Sequence, residues 1–240
     1  MRRSRAIVTL AAIGLAALTA RLGVWQLDRA AQKQAIAGAT AARQQLPPVP
    51  MAELARDAGE ASAQHHRTVR LQGRWSAAHT LYLENRPMNG RPGFVVLTPL
   101  VLDDGTAVAV QRGWLPRDPA DRTRVQAPPL SAGPQTVEGR IAPPPSRLYD
   151  FDGAAQGPIR QNVNLAAWSV DTGLSLRPLS VLQTSAEPTD TLLRDWPQPA
   201  ADVHKHYGYA FQWFALSALT VILYVWFQII RPRRIRARAH

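Results

Sequence analysis

The chain has 240 residues, no cysteine and a formal net charge of +11, from 28 Lys+Arg against 17 Asp+Glu. The missing cysteines exclude a disulfide framework, a thioredoxin-like redox pair and a C-x-x-C-H haem attachment. The charge is no nucleic-acid footprint, because residues 30 to 205 hold 18 basic and 16 acidic residues and the excess sits at the two ends.

Ile7 to Leu27 is an apolar run carrying one charge, Arg21. About 20 residues at roughly 1.5 Å rise cross a hydrocarbon layer about 30 Å thick, so residues 7–27 are expected to form a first transmembrane helix behind a short N-terminus, 1–6. A basic start and an apolar core also describe a cleaved signal peptide. Cleavage after Ala20 would place bulky Leu18 where a small residue is wanted, so an uncleaved anchor is expected. Arg21, Trp25, Asp28 and Gln32 recur at i, i+4, i+7 and i+11, with Arg29 beside them. They read either as anchors snorkelling toward headgroups or as a polar rim facing a second helix. Ala12, Ala16 and Ala20, four apart, would permit close helix approach.

Residues 28–206 are expected to form one extracytoplasmic domain. Pro50 to Ala58 is a short helix candidate. Val69, Leu71 and Gly73 alternate with Arg70, Gln72 and Arg74 as a half-buried strand does. Thr80 to Asn85, Phe94 to Leu102 and Ala107 to Trp114 read as further strands, and Asp104-Gly105 suits a two-residue type I′ hairpin turn. Thr136 to Ile141 and Leu179 to Thr184 extend this antiparallel meander. Between them Asn164 to Thr172 reads as a helix, with Asn164 capping its start and Gly173 ending it.

Tyr209 to Ile230 contains 22 residues without a charge, giving a second transmembrane helix over 207–230 and a basic tail over 231–240. Arg2, Arg3 and Arg5 precede the first span, while Arg231, Arg233, Arg234, Arg236 and Arg238 follow the second. The positive-inside rule then places both termini in the cytoplasm and the central domain outside, with the basic ends drawn to anionic membrane lipid. The fold class expected is α+β: two transmembrane helices flanking a β-rich, antiparallel extracytoplasmic domain with short helices. Arg outnumbers Lys 26 to 2, which suits a GC-rich bacterial genome and hence the bacterial inner membrane.

No phosphate loop, no G-x-S-x-G elbow and no H-E-x-x-H set is present, so the residues suggest no enzyme. His65 and His66 fall in a polar stretch and read as solvated surface residues. His206, Tyr209, Ala210 and Trp213 lie at i, i+3, i+4 and i+7, on one helix face at the mouth of the second span. A neutral imidazole above flat aromatic rings could ligate haem iron. The same residues could be an interfacial aromatic belt with a polar neighbour.

Five blocks carry a family resemblance. They are Leu22-Gly23-Val24-Trp25-Gln26 with Arg29 and Lys33; Asn85-Arg86 with Gly90 to Pro99; Val110 to Arg117; Gln161 to Leu165 with Trp168; and His206 to Phe214. In this order, between two membrane helices, they resemble the surfeit locus protein 1 family of cytochrome c oxidase assembly factors. The resemblance implies a non-enzymatic role in haem-copper oxidase maturation, at the insertion of haem a into subunit I. It names cytochrome c oxidase subunit I as partner, with a haem a synthase as a second candidate and no nucleic acid. It also implies His206 as the candidate ligand to the haem iron; joined to the residue spacing, the expectation is that Tyr209 and Trp213 flank it and that Trp25 and Arg29 contribute from the first helix. The chain departs from the family in carrying His204 where Asn is common, which leaves two imidazoles to choose between. A haem-free scaffold that holds oxidase intermediates together is the alternative. Arg112, Gly113 and Trp114 would either build the domain or touch a partner.

Overall fold

A computed structural model describes residues 2–121, 124–126, 128–148, 157–187, 190–197 and 203–237. Arg238 of the basic tail lies outside the described residues. The chain divides into two compact units, Thr40–Trp196 and the paired ends Met1–Ala39 with Pro197–His240.

The paired ends consist of two long helices. Helix α1 spans Arg2–Gln44 and α4 spans Val203–Val225, the latter followed by a π-helical turn, Trp226–Ile230, and α5, Arg231–Ala237. Both α1 and the α4 continuum are long and apolar enough to cross a membrane. Helix α1 does not stop where its apolar run ends. The stretch after Leu27 is rich in Ala, Gln and Arg, all strong helix formers, and the helix continues until Pro47-Pro48 approach.

A stripe of buried and half-buried positions on α1 steps by three and four through Thr9, Ala12, Ala16, Thr19, Gly23, Gln26 and Ala30, with half-buried Ala20 and Leu22 beside it. A stripe on α4 does the same: Val203, His206, Ala210, Trp213, Ser217, Thr220 and Tyr224. This is the seven-residue seam of a paired helix. Hydrogen bonds fix its register. Thr9 Oγ1 meets Tyr224 Oη at 2.9 Å, Ser217 Oγ donates to the Ala16 carbonyl at 2.9 Å, and His206 Nδ1 meets Gln26 Oε1 at 2.7 Å. Numbers rise on one helix as they fall on the other, so the pair is antiparallel. Small seam residues bring the backbones close: a Cβ added at Gly23 would stand 2.8 Å from the Phe214 ring. Leu10, Ile13, Phe211 and Ile222 point outward.

The other unit is a small barrel. Its strands are β1 (Thr68–Trp75), β2 (Leu81–Leu83), β3 (Gly93–Leu102), β4 (Thr106–Pro116), β5 (Pro134–Ala142), β6 (Ile159–Arg160) and β7 (Ser175–Gln183). The sheet order is β1-β5-β7-β4-β3-β2-β6, and β1 also pairs with β3. The first five of these strands therefore close a ring, with β2 and β6 added beyond β3. Leu71, Leu100, Val108, Val110, Ile141, Leu179 and Val181 fill its interior. On the outside, α3 (Leu165–Thr172) lays Leu165 and Trp168 over Leu83, Val95, Leu97 and Trp114.

The expected antiparallel sheet is corrected here: it is mixed, because β4 runs parallel to β7 and β2 parallel to β6. Two-residue hairpins enforce antiparallel neighbours, whereas the long stretches after Pro116 and Ala142 leave direction free. The hairpin at Asp104 forms, but with three loop residues, Asp103 to Gly105. Gly105 N–H donates to the Leu102 carbonyl at 3.0 Å, and only Gly105 in that loop has positive φ, at 78°. The helix expected over 50–58 is a single turn, Met51–Glu53, followed by α2 (Ala58–Gln64). The start signal of the longer helix lay at the far end of that stretch. Asp57 caps α2 by accepting from Glu60 N, in a D-x-x-E spacing. The helix over 164–172 forms as expected. Asn164 accepts from Ala166 N and Ala167 N, and Gly173 closes it in the left-handed conformation.

Ring closure needs Gly73, whose added Cβ would collide with the Val101 carbonyl oxygen. Gly73→Ala should push β1 off β3 and cost about 1–3 kcal/mol, read as a lower urea midpoint of the barrel. At the β3–β4 turn, Asp104 accepts from Thr106 Oγ1 (2.6 Å) and N (3.0 Å) and from Arg177 Nη2 (2.7 Å). The Thr106 bonds first, and then the Arg177 guanidinium, hold its carboxyl below the usual range. Its stabilisation is therefore present above the unfolded-state value of about 3.9 and lost as pH falls through the lower folded-state value. The effect is modest because the Asp104 side chain is 38% exposed. Asp104→Asn should flatten that acid limb of a stability-versus-pH curve.

Candidate functional site

His206 sits in the first turns of α4, half-buried on the seam. His206 Nδ1 and Gln26 Oε1 lie 2.7 Å apart, a hydrogen bond in which the amide oxygen accepts when Nδ1 carries the ring proton. In that tautomer Nε2 is the nitrogen that keeps the lone pair. A ring nitrogen held as donor while the other stays free is the arrangement metal-ligating histidines adopt.

The other expected residues scatter around this point. Trp213 is half-buried, two seam steps beyond His206. Tyr209 flanks the seam and is 53% exposed. Trp25 is 47% exposed and stacks under the Arg29 guanidinium, 5.6 Å from its ring centre. Arg29 also donates to Gln32 Oε1 at 3.0 Å. Trp25 and Arg29 thus pair with each other, and no bond joins either to His206 among the described residues. Of the two readings of Arg21, Trp25, Asp28 and Gln32, the rim facing the second helix is not what the structure shows: all four are off the seam and exposed. Arg21, Leu22, Val24, Trp25 and Asp28 instead line a groove of about 340 Å³. Gln26, which the sequence reading passed over as a site residue, is the one that meets the imidazole. A signal was available, since it is the sole amide in the run from Ile7 to Leu27.

His204 lies two residues from His206, on the exposed side of the helix. Among the described residues no cluster of three or more His, Asp or Glu could hold a metal ion. A bare ion has no cage here. Haem would need only a single imidazole nitrogen from the protein, and His206 is the histidine on the seam that could supply one. The tight Gly23–Phe214 contact leaves no slot between the helices at that level, so a macrocycle would have to lie against their outer surface.

The remaining candidates belong to the barrel's construction. Arg112 and Trp114 are both 0% exposed. Trp114 Nε1 donates to the Arg86 carbonyl at 2.6 Å, and Gly113 lies where a Cβ would press on Leu192. This block builds the domain from inside. His65 and His66 differ from expectation too. They stand edge to face, 6.4 Å apart and half-buried, and burial first, then neighbouring charge, lowers both below the usual imidazole value.

Compared with known families, residues 13–218 match the SURF1 family model, which takes in most of the chain and reaches into both long helices. No curated protein matches the chain.

Proposed function

The chain belongs to the SURF1 family, whose members are cytochrome oxidase assembly factors rather than a known enzyme family, and from that membership we propose that it carries haem a for oxidase assembly. In this reading His206 is the axial ligand. Tyr209, Trp213 and Trp25 offer aromatic surface, and Arg29 offers a cation for the propionates. The observation that supports it most is the 2.7 Å contact between His206 Nδ1 and Gln26 Oε1, which with the proton on Nδ1 leaves the Nε2 lone pair for the iron.

Bound there, haem a supplies an iron centre that accepts an imidazole axially. The chain's own work is to hold one such imidazole rather than two. A histidine of subunit I can then compete for the iron, and the group moves on to the recipient. A haem a synthase is the natural donor on the other side of the exchange. The basic residues at both ends support an inner-membrane placement with both termini cytoplasmic and the barrel periplasmic, and with anionic lipid around the tail.

A second reading is favoured by one contact. Gly23 packed on Phe214 closes the helix pair, as a plain tether without a guest would. Expression beside the haem-a-producing enzymes separates the two. A carrier purifies with haem a in near-stoichiometric amount and a Soret band, whereas a haem-free scaffold purifies colourless yet still captures subunit I.

A further inference from the structure

We propose that Gln26 is a positioning residue that fixes the tautomer of His206 and thereby decides which imidazole nitrogen can act as a ligand. The consequence for haem rests on the reading given above, while the tautomer itself does not. Two neutral tautomers of imidazole compete, and a solvated ring favours the proton on Nε2, which would block that nitrogen as a donor of electrons. A hydrogen bond accepted at Nδ1–H reverses the preference.

The structure places such an acceptor where it has little freedom to leave. Gln26 is half-buried on the seam between Gly23, pressed on Phe214, and Ala30, which is fully buried. Val203 and Ala210, one turn to either side of His206, are buried as well. Both ends of the 2.7 Å bond are thus carried by packed helix. The roles are set by chemistry: Oε1 has no proton, so Nδ1 must bring it. With the amide turned end for end its NH₂ would donate to Nδ1, and the proton would move to Nε2. The proposal therefore states an amide orientation as well as a contact.

The test uses full-length protein in nanodiscs, labelled with ¹⁵N-histidine and free of haem, with the His206 signals assigned by their loss in His206→Ala. The expected wild-type spectrum of neutral His206 has a protonated Nδ1 and a bare Nε2. Gln26→Glu, which can only accept, keeps that pattern. Gln26→Leu, which fits the apolar seam, turns it toward the opposite tautomer. Titration with ferric haem then follows. Gln26→Leu should weaken binding about 10–100-fold, the usual effect of losing the partner behind a metal-bound histidine, and Gln26→Glu should restore it to within a few-fold. A wild-type spectrum with the proton on Nε2, or a Gln26→Leu spectrum identical to wild type, overturns the proposal. If the spectra follow Gln26 but ferric haem binds none of the proteins, Gln26 stands as the positioning residue and the haem reading of His206 falls.

Discussion

Arg112→Leu should destabilise the barrel by about 3–5 kcal/mol, a large share of the roughly 5–15 kcal/mol that holds an ordinary domain folded. The guanidinium has no exposed surface, and its Nη2 alone meets Glu187 at 3.0 Å, Asp190 at 3.3 Å and the Pro129 carbonyl at 3.2 Å. Its carbon centre lies 5.3 Å over the Trp75 ring. Asp190 is also held by Arg194 at 2.7 Å, and Glu187 accepts from Gln183 Nε2 at 3.0 Å. These contacts fasten the chain after β7 back onto β4, where Trp114 and Leu193 exchange two backbone hydrogen bonds. A leucine would fill much of the volume but leave two carboxylates facing a single arginine in a desolvated place. Removing one member of a buried ionic set is costly for that reason, not because the pair itself contributes so much. Adding Glu187→Gln to Arg112→Leu should therefore recover part of the loss, a non-additivity readable in a urea double-mutant cycle. A loss below about 1 kcal/mol for Arg112→Leu would show that the cluster is not a closed ionic set.

The sequence-level reading found what local chemistry dictates. Asn164 and Gly173 mark the ends of α3 because a side-chain oxygen and a left-handed glycine do their work within a few residues. The alternation of Val69 and Leu71 with Arg70 and Gln72 marks β1 because one strand face meets the interior. Long-range pairing escaped it. Nothing in Leu179 to Thr184 says that β7 runs parallel to β4, since direction depends on the path of some thirty residues between Ala142 and Ser175. Spacing left the face of the first helix open between two readings for a different reason, although the small residues Ala12, Ala16 and Ala20 already hinted at close approach. Arg21, Trp25, Asp28 and Gln32 stand out in an apolar segment, yet packing in a membrane is decided by residues small enough to let backbones approach. Ala16, Thr19 and Gly23 form that face, and Gln26 reaches the imidazole because it falls on the same stripe. Spacing and motif singled out His206 as a candidate, whereas the residue it touches required the register of the two helices.

Replacing His206 with alanine should remove haem a from the purified protein almost completely, a loss of at least about tenfold in occupancy, while His204→Ala should leave it near wild type. The two histidines are two residues apart, so their side chains diverge by roughly 200° around a helix with 3.6 residues per turn. Only His206 lies on the seam with its Nδ1 engaged, and His204 is exposed on the other side. For His204 to substitute, α4 would have to turn about its axis and break the Tyr224–Thr9 and Ser217–Ala16 bonds along with the seam they register. The measurement is the Soret absorbance per protein after expression beside the haem-a-producing enzymes, with the barrel's melting temperature as a control for folding. Added imidazole should return part of the absorbance to His206→Ala, because the space left by the ring admits a free ligand with the same nitrogen. If the His206→Ala, His204→Ala double variant keeps its haem, neither imidazole is the ligand and the assignment of the iron to this helix mouth falls.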